Sequence, residues 1–321
     1  MLMVKTLFRR CIALGSLGAI VGLALGYLGW LHPAFDTFAH LRFHLALALL
    51  AGFFLLLLSR YRRMSALAFG VILFAFYTSL PGLKIAGQRL DRIPDRPEYE
   101  LLHLNLLWNH DQPASVVEWI RQLDPDLLSL AEASRVWAPH LKRLEIRYPY
   151  FFNCPETGKR GGVRIYSRLP FAPGADYCAY YGVFGTTRIT TPDGDHFTLG
   201  SLHLRWPWPA SGPKQLEGIL PELKDLDEDA LIAGDFNATT WSFALQQFAD
   251  AGQLTIVEGI GPTWLFEEFP SFVAEWFGFP IDNVLYKGRI RLLEANKLPS
   301  VGSDHHPILV RFQLAKSPQQ K

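Results

Sequence analysis

"LIAGDFNATT", residues 231–240, decides how the rest of the chain is read. Leu231 to Ala233 read as a buried strand, followed directly by Gly234, Asp235, Phe236 and Asn237. Side chains alternate along an extended segment, so Asp235 and Asn237 should point to one side of it. Asp and Asn also open loops for reasons of turn geometry alone. Which reading holds depends on what the other strands carry at their ends.

Short apolar runs recur from residue 99 onward. "YELLHLNLLW", "PDLLSLAEA", "GGVRIYSR", "FGTTRITT", "HFTLGSLHL", "IDNVLYKG", "RIRLLEANKL" and "HPILVRFQL" read as strands. "PASVVEWIRQL" has helical spacing at Val116, Val117, Ile120 and Leu123, with Pro113 suited to the first turn. "RVWAPHLKRLEIRY" and "SFALQQFADAG" read as helices, the second stopped by Gly252. Many strands and few helices in mixed order point to two packed sheets with helices outside.

The strands share a peculiarity. Asn105, Glu132, His203, Asp235 with Asn237, Asp282, and Asp304 with His305 each interrupt an apolar run at or near a strand end. Taken singly, each is an ordinary core amide, solvated carboxylate or turn residue. Together they form a set that strand ends can gather at one edge. Carboxylate oxygens without thiolates suit a hard cation such as Mg²⁺, with Glu132 the leading ligand and Asp304 and Asn105 beside it. His305 with Asp282 makes a general base with a fixed tautomer. Asn237 and His203 can donate to phosphate oxygens as negative charge grows. Metal, base and donors describe in-line attack of water on a phosphoester.

The stretches "HLNL", "DPDLLSLAE", "GGVRIYSRLP", "SLHLRWP", "GDFNATTWS", "IDNVL" and "GSDHHPILV" resemble the endonuclease/exonuclease/phosphatase superfamily, in its order, across about residues 100–312. The resemblance implies a four-layer α/β-sandwich and a Mg²⁺- or Mn²⁺-dependent phosphoesterase. By position, it makes Glu132 the metal ligand, with Asn105 supporting the metal or phosphate and Asp304 beside the metal. His203 would contact the scissile phosphate or act as an acid. Asp235 and Asn237 would place the attacking water and the phosphate. His305, in preference to His306, would be the base oriented by Asp282. Ala131, Asn283 and Thr240 depart from common family residues, and Arg164 is bulkier than usual, with an altered groove as the expected consequence. None of these removes a proposed catalytic side chain. A catalytically inert binding or scaffold module on the same fold is the alternative.

Of the 31 Lys/Arg and 30 Asp/Glu, residues 1–83 hold only seven and one, leaving 24 and 29 and a net charge of −5 for the remainder. That sign argues against processive binding of long nucleic acids. Three apolar stretches, Cys11–Leu31, Phe43–Leu58 and Ser65–Leu83, read as membrane spans. Residues 84–98 read as a linker, 99–314 as the catalytic domain and 315–321 as a frayed tail.

Lys5, Arg9 and Arg10 precede the first span, and Arg60, Arg62 and Arg63 separate the second and third. "HPAFDTFAH" between the first two has neither Lys nor Arg. The positive-inside rule therefore puts the catalytic domain outside the cytoplasm, in the periplasm of a Gram-negative cell. Lys84, Arg89, Arg92 and Arg96 count the other way. Cys154 and Cys178 either pair, as an extracytoplasmic setting allows, or remain two thiols.

The expected partners are the bilayer and a phosphoester, whether nucleic acid, phospholipid or small ester, with no obligate protein partner evident. Two loops are dense in aromatics: Trp206 and Trp208 in one, and Trp264, Phe266, Phe269, Phe272, Trp276, Phe277 and Phe279 in the other. These either meet the bilayer interface, stack bases, or form a small core of their own.

Overall fold

The computed structural model describes residues 2–83, 92–155, 158–266 and 269–316. The N-terminal part is four helices: α1 (Leu2–Leu25), α2 (Pro33–His40), α3 (Arg42–Leu58) and α4 (Arg62–Leu83). Among the described residues, α1 and α4 are each long and apolar enough to cross a membrane. Counting α2 and α3, bent by 63°, as one broken span would make three. The first span was expected to reach Leu31, but α1 ends at Leu25 and the chain turns through Gly26 and Gly29. A Cβ at Gly29 would lie 2.8 Å from the Cβ of Phe243, so the turn is pressed against the part that follows the helices.

Two six-stranded sheets follow. The first runs β11 (Ile290–Lys297), β12 (Ile308–Leu314), β1 (Glu98–Asn105), β2 (Leu127–Ala133), β4 (Gly162–Ser167), β3 (Tyr150–Cys154). The second runs β5 (Tyr177–Ala179), β6 (Phe184–Thr190), β7 (His196–His203), β8 (Ala230–Asp235), β10 (Asp282–Lys287), β9 (Thr255–Ile256). Each sheet is mixed, with parallel pairing only of β1 with β2 and of β7 with β8.

Three cores define the four layers. Leu101, Leu127, Ile165, Leu199, Leu231, Val284 and Phe312 pack between the sheets. Leu102, Leu104, Leu128 and Leu130 face α5 (Pro113–Leu123) and α6 (Ala138–Leu141). Ile232 and Leu285 face α7 (Gly212–Leu223) and α8 (Phe243–Gly252). The four-layer sandwich with flanking helices is thus the architecture of the chain.

Several local readings change. "RVWAPHLKRLEIRY" forms only the one-turn α6 and a 3₁₀ turn at Lys142–Leu144. Gly252 ends α8 as its last residue, while Gln253 takes the left-handed conformation (φ 53°). Arg164 does not alter the groove. It lies on the α5/α6 side of β4 and reaches Tyr166 Oη. The expected linker is described only from Arg92, and there it is bound. Ile93 and Arg96 hold Gln313 of β12, and Arg96 also pairs with Asp195 at 2.7 Å. Most of the expected tail lies outside the described residues.

"HPAFDTFAH", expected as the loop between the first two spans, forms helix α2, and it docks on the sandwich beside α8. Asp36 accepts from the Phe243 and Ala244 N–H groups at 2.7 and 3.0 Å. It thereby caps the start of α8 together with Ser242, whose hydroxyl accepts from Leu245 N–H. Trp241 donates to Ala39 O at 2.7 Å.

Cys154 and Cys178 form a disulfide that ties edge strand β3 of one sheet to edge strand β5 of the other. Replacing both cysteines by Ser should lower stability by about 3 kcal/mol, the loss expected for a cross-link closing a loop of this order. The urea midpoint of the non-reduced protein measures it, and equal midpoints would contradict the pairing.

Candidate active site

The pleat places every second residue of the central strands between the sheets. Along β1 these are Leu101, His103 and Asn105; along β2, Leu127, Ser129 and Ala131. Along β7 they are Leu199, Ser201 and His203; along β8, Leu231, Ala233 and Asp235. The columns of β1, β7 and β8 run from apolar to polar toward the same open end, and β2 supplies Glu132 just past Ala131. His203 stands opposite Asp235, and Asp235 opposite Asp282. All three are buried.

Asp282 is the centre of the polar end. Its Oδ2 lies 2.7 Å from His305 Nδ1 and its Oδ1 lies 3.2 Å from His103 Nε2. His103 Nδ1 faces Ser129, whose hydroxyl donates within reach of both Ser201 Oγ and Ala233 O at 2.8 Å. Burial alone would raise the Asp282 pKa. The His305 charge and the two imidazole hydrogen bonds outweigh it and hold the carboxyl well below the usual range.

His305 Nε2 then lies 3.8 Å from Asp235 Oδ2. Burial raises the Asp235 carboxyl, with the Asp282 charge adding to it. Burial disfavours the His305 cation, but Asp282 and Asp235 overcome this and raise its pKa. His203 is pushed down to about 3 by burial and by the charges of Arg205, His305 and Arg160, so it stays neutral.

Asp235 also makes its own turn. Its Oδ1 accepts from Asn237 N–H at 2.8 Å, and Asn237 takes φ 47°. The two side chains converge because the strand stops in this left-handed turn, not because it continues extended. Asn237 Nδ2 reaches Leu204 O at 2.7 Å and Asp235 Oδ2 at 3.2 Å, and Asn105 Nδ2 donates to the same oxygen at 2.9 Å. Asn283 braces the turn by donating to Ala238 O. Gly234 is required by proximity, since a Cβ there would lie 2.4 Å from Leu202 O.

Glu132 sits where β2 slips register against β4, with φ 55°. Such a bulge re-aims a side chain at a cost of roughly 1–3 kcal/mol for a non-glycine residue. Its Oε2 accepts from Trp108 N–H and its Oε1 from Arg160 Nη1, both at 2.8 Å. His203 Nε2 lies 3.5 Å from Glu132 Oε1 and 3.7 Å from Asp235 Oδ2.

Asn105, Glu132, Asp235, Asn237, Asp304 and His305 line one cleft, together with Leu107, Trp108, Arg160, Trp206 and Trp264. Asp282 and His203 stand just behind it. His306 turns away to Leu298 O at 2.8 Å. Residue-by-residue reading passed over His103, Ser129, Ser201 and Arg160. Ser129 and Ser201 recur at the alternating inward positions of β2 and β7, a signal the strand pattern contained. Arg160 sits in a loop whose sequence gives no such signal.

The oxygen donors fit a hard divalent cation. Glu132 and Asp235 are buried carboxylates, and the arginine on Glu132 is 41% exposed. The tightest carboxylate–imidazole group is Asp235, Asp282 and His305, whose ligand atoms lie within 4.8 Å of one another. Both Asp282 oxygens serve imidazoles behind the cleft, whereas Glu132 and Asp235 line it, where a cation would compete with their amide and arginine donors.

A mixed double sheet with carboxylates, amides and imidazoles at one open end defines an α/β-sandwich with a polar cleft. The pattern of the Endonuclease/Exonuclease/phosphatase family matches residues 102–305, and the chain belongs to that family. It is similar to a UPF0294 protein of Vibrio cholerae, 36% identical over 101 residues. That match covers 32% of this chain and 34% of the relative, so the chain spans about a third of the curated relatives it matches. Its fold is similar to that of D. rerio TDP2 complexed with a single-strand DNA product, with TM-score 0.52 and 18% identity over 67% of this chain and 98% of that one. It is also similar to sphingomyelinase C from Streptomyces griseocarneus, with TM-score 0.50 and 14% identity over 68% of this chain and 100% of that one.

His103→Phe leaves Asp282 with one imidazole partner. It should cost about 1.5–3 kcal/mol, as for a hydrogen bond to a buried charge. The chemical-denaturation midpoint tests this, and an unchanged midpoint would remove His103 from the Asp282 support.

Proposed function

We propose that the protein is a membrane-anchored, divalent-metal-dependent phosphodiesterase acting by His-activated in-line attack of water. The observation that carries this is the Asp282–His305 pair at the cleft floor, its Nε2 directed toward Asp235 among the phosphate-binding amides. Asp282 fixes the imidazole tautomer, and His305 takes the proton of the attacking water. Asp235 and Asn237 position that water and the phosphate. Neutral His203 donates to a non-bridging oxygen rather than acting as an acid, and Arg160 offers a bidentate contact to the same group. The new P–O bond forms as the bond to the leaving alkoxide breaks, and the proton on His305 returns to that alkoxide through solvent.

Glu132, with Asp304 and Asn105 beside it and Asp235 facing it, would hold Mg²⁺ or Mn²⁺, which stabilises charge on the phosphoryl oxygens when bound. Added positive charge among these carboxylates also lowers the His305 pKa and frees its base form. An inert scaffold on this fold is the competing reading. The joint retention of all eight polar side chains weighs against it.

An extracytoplasmic catalytic domain agrees with the charge pattern in three dimensions. Arg9 reaches Ser59 O and the Tyr61 ring, placing the basic residues near Arg60 and Arg62 together. The catalytic part instead meets α2 and the start of α3, at the other end of the bundle. Alkaline phosphatase fused after residue 321 should be active in a bacterial host, and an inactive fusion would overturn this orientation.

The full chain in detergent with Mg²⁺ or Mn²⁺ should hydrolyse bis(p-nitrophenyl) phosphate and lose the activity to EDTA. His305→Ala should lower turnover by about 10²–10⁴. Arg160→Ala should chiefly raise KM. Unchanged turnover in His305→Ala would reject the assigned base, and no metal-dependent hydrolysis across a broad phosphoester panel would reject the function.

A further inference from the structure

An unbroken file of aromatic rings leads from the membrane helices to the cleft. It starts at α3, whose first turn carries Phe43 and His44. His44 Nε2 donates to Phe277 O at 2.9 Å, and its ring lies 4.6 Å from that of Phe279. Phe279 is 5.8 Å from Trp264, and Trp264 is 5.7 Å from Trp206. Trp264 and Trp206 line the cleft, and Trp264 Nε1 donates to Asp304 at 3.2 Å.

The two loops supplying these rings are both fastened to the span-proximal helices. In the first, Trp208 O accepts from Thr37 of α2 at 2.9 Å and its ring lies 6.2 Å from His32. In the second, Trp276 of α9 (Ser271–Phe277) stacks on Phe43 at 6.2 Å. The outward aromatics of the file and of these two loops stay in contact with solvent: Trp206, Trp208, Phe269, Trp276 and Phe277 are all exposed, and Phe269 joins the file through Phe266, whose ring lies 4.8 Å from Trp264. A small self-contained core would bury them. Aromatics of this kind, beside the first turn of an apolar helix, belong at the headgroup level of a bilayer. The soluble part also lacks the basic field that a long nucleic acid needs.

We propose that the substrate is a membrane phospholipid, its phosphodiester passing from the leaflet beside α3 into the cleft along this aromatic file. The inference rests on the phosphodiesterase reading. Water adds to phosphorus, one P–O bond to the glycerol or headgroup alcohol breaks, and a phosphomonoester and an alcohol result. The acyl chains stay in the leaflet, where the file of rings spares the lipid full extraction into water.

The test uses the full chain reconstituted with Mg²⁺ into vesicles of phosphatidylethanolamine and phosphatidylglycerol, or of phosphatidylcholine with sphingomyelin. Products are followed by ³¹P NMR, with single-stranded and duplex DNA offered separately. Bis(p-nitrophenyl) phosphate and soluble dihexanoyl-phosphatidylcholine are assayed on the same preparation.

Release of a phosphomonoester from a vesicle lipid, faster than DNA is cut, is expected. Phe269→Ala with Trp276→Ala, both outside the cleft lining, should lower vesicle turnover by about tenfold. The same double variant should leave bis(p-nitrophenyl) phosphate hydrolysis within about twofold, which also shows that it folds. DNA cleavage with untouched lipids would overturn the lipid assignment while leaving the phosphodiesterase standing, and equal vesicle turnover in the double variant would overturn the aromatic route. Failure to cleave even bis(p-nitrophenyl) phosphate would instead bring down the phosphodiesterase reading, and the lipid assignment with it.

Discussion

A buried carboxylate between two imidazoles governs this molecule. Asp282 has almost no contact with water, and an unpaired charge in such a place is untenable. Its partners must therefore come from somewhere, and both come from the side of the facing sheet. His305 approaches from the segment before β12, and His103 from the middle of β1. His103 needs a partner of its own, which Ser129 of β2 provides, and Ser129 needs Ser201 of β7 and the backbone of β8. Pairing one charge thus fixes the register of five strands.

The pleat then orders the space between the sheets. One half is leucine, valine and phenylalanine. The next row is serine and histidine, and the last is carboxylate, amide and imidazole. Polar groups placed in this sequence satisfy one another before they reach solvent. At the open edge the backbone is bent to aim them: Glu132 by a bulge, and Asp235 with Asn237 by a left-handed turn. The cost of these local distortions is carried by a well-packed apolar half.

Much of this was legible in the chain before its fold was known. Alternation gave the strands, and polar interruptions at their ends gave the cleft residues, because both follow from local geometry. The support behind them was harder to see. His103 and Ser129 look like ordinary members of apolar strands until a second sheet is laid against them. Arg160 meets Glu132 only through a loop. The segment "HPAFDTFAH" carries too few apolar residues to announce a helix, and its amphipathic face acquires meaning from α8, some two hundred residues away. The start of α7 with Gly-Pro, and Pro221 within it, likewise hid a helix. Gly252 pointed to the right helix end but the wrong residue, because tertiary packing let Gln253 take the turn.

Asp36 is the only acid in the first 83 residues, and its two oxygens are spent on the N–H groups that open α8. The seam between apolar and soluble parts, so plain in composition, is therefore not a seam in the folded molecule. A chain trimmed at residue 84 would lose one cap of the helix that follows the Asp235–Asn237 turn. The apolar segment is in this sense an internal prosthesis: a piece of the sandwich's own scaffold carried by helices long and apolar enough to cross a membrane.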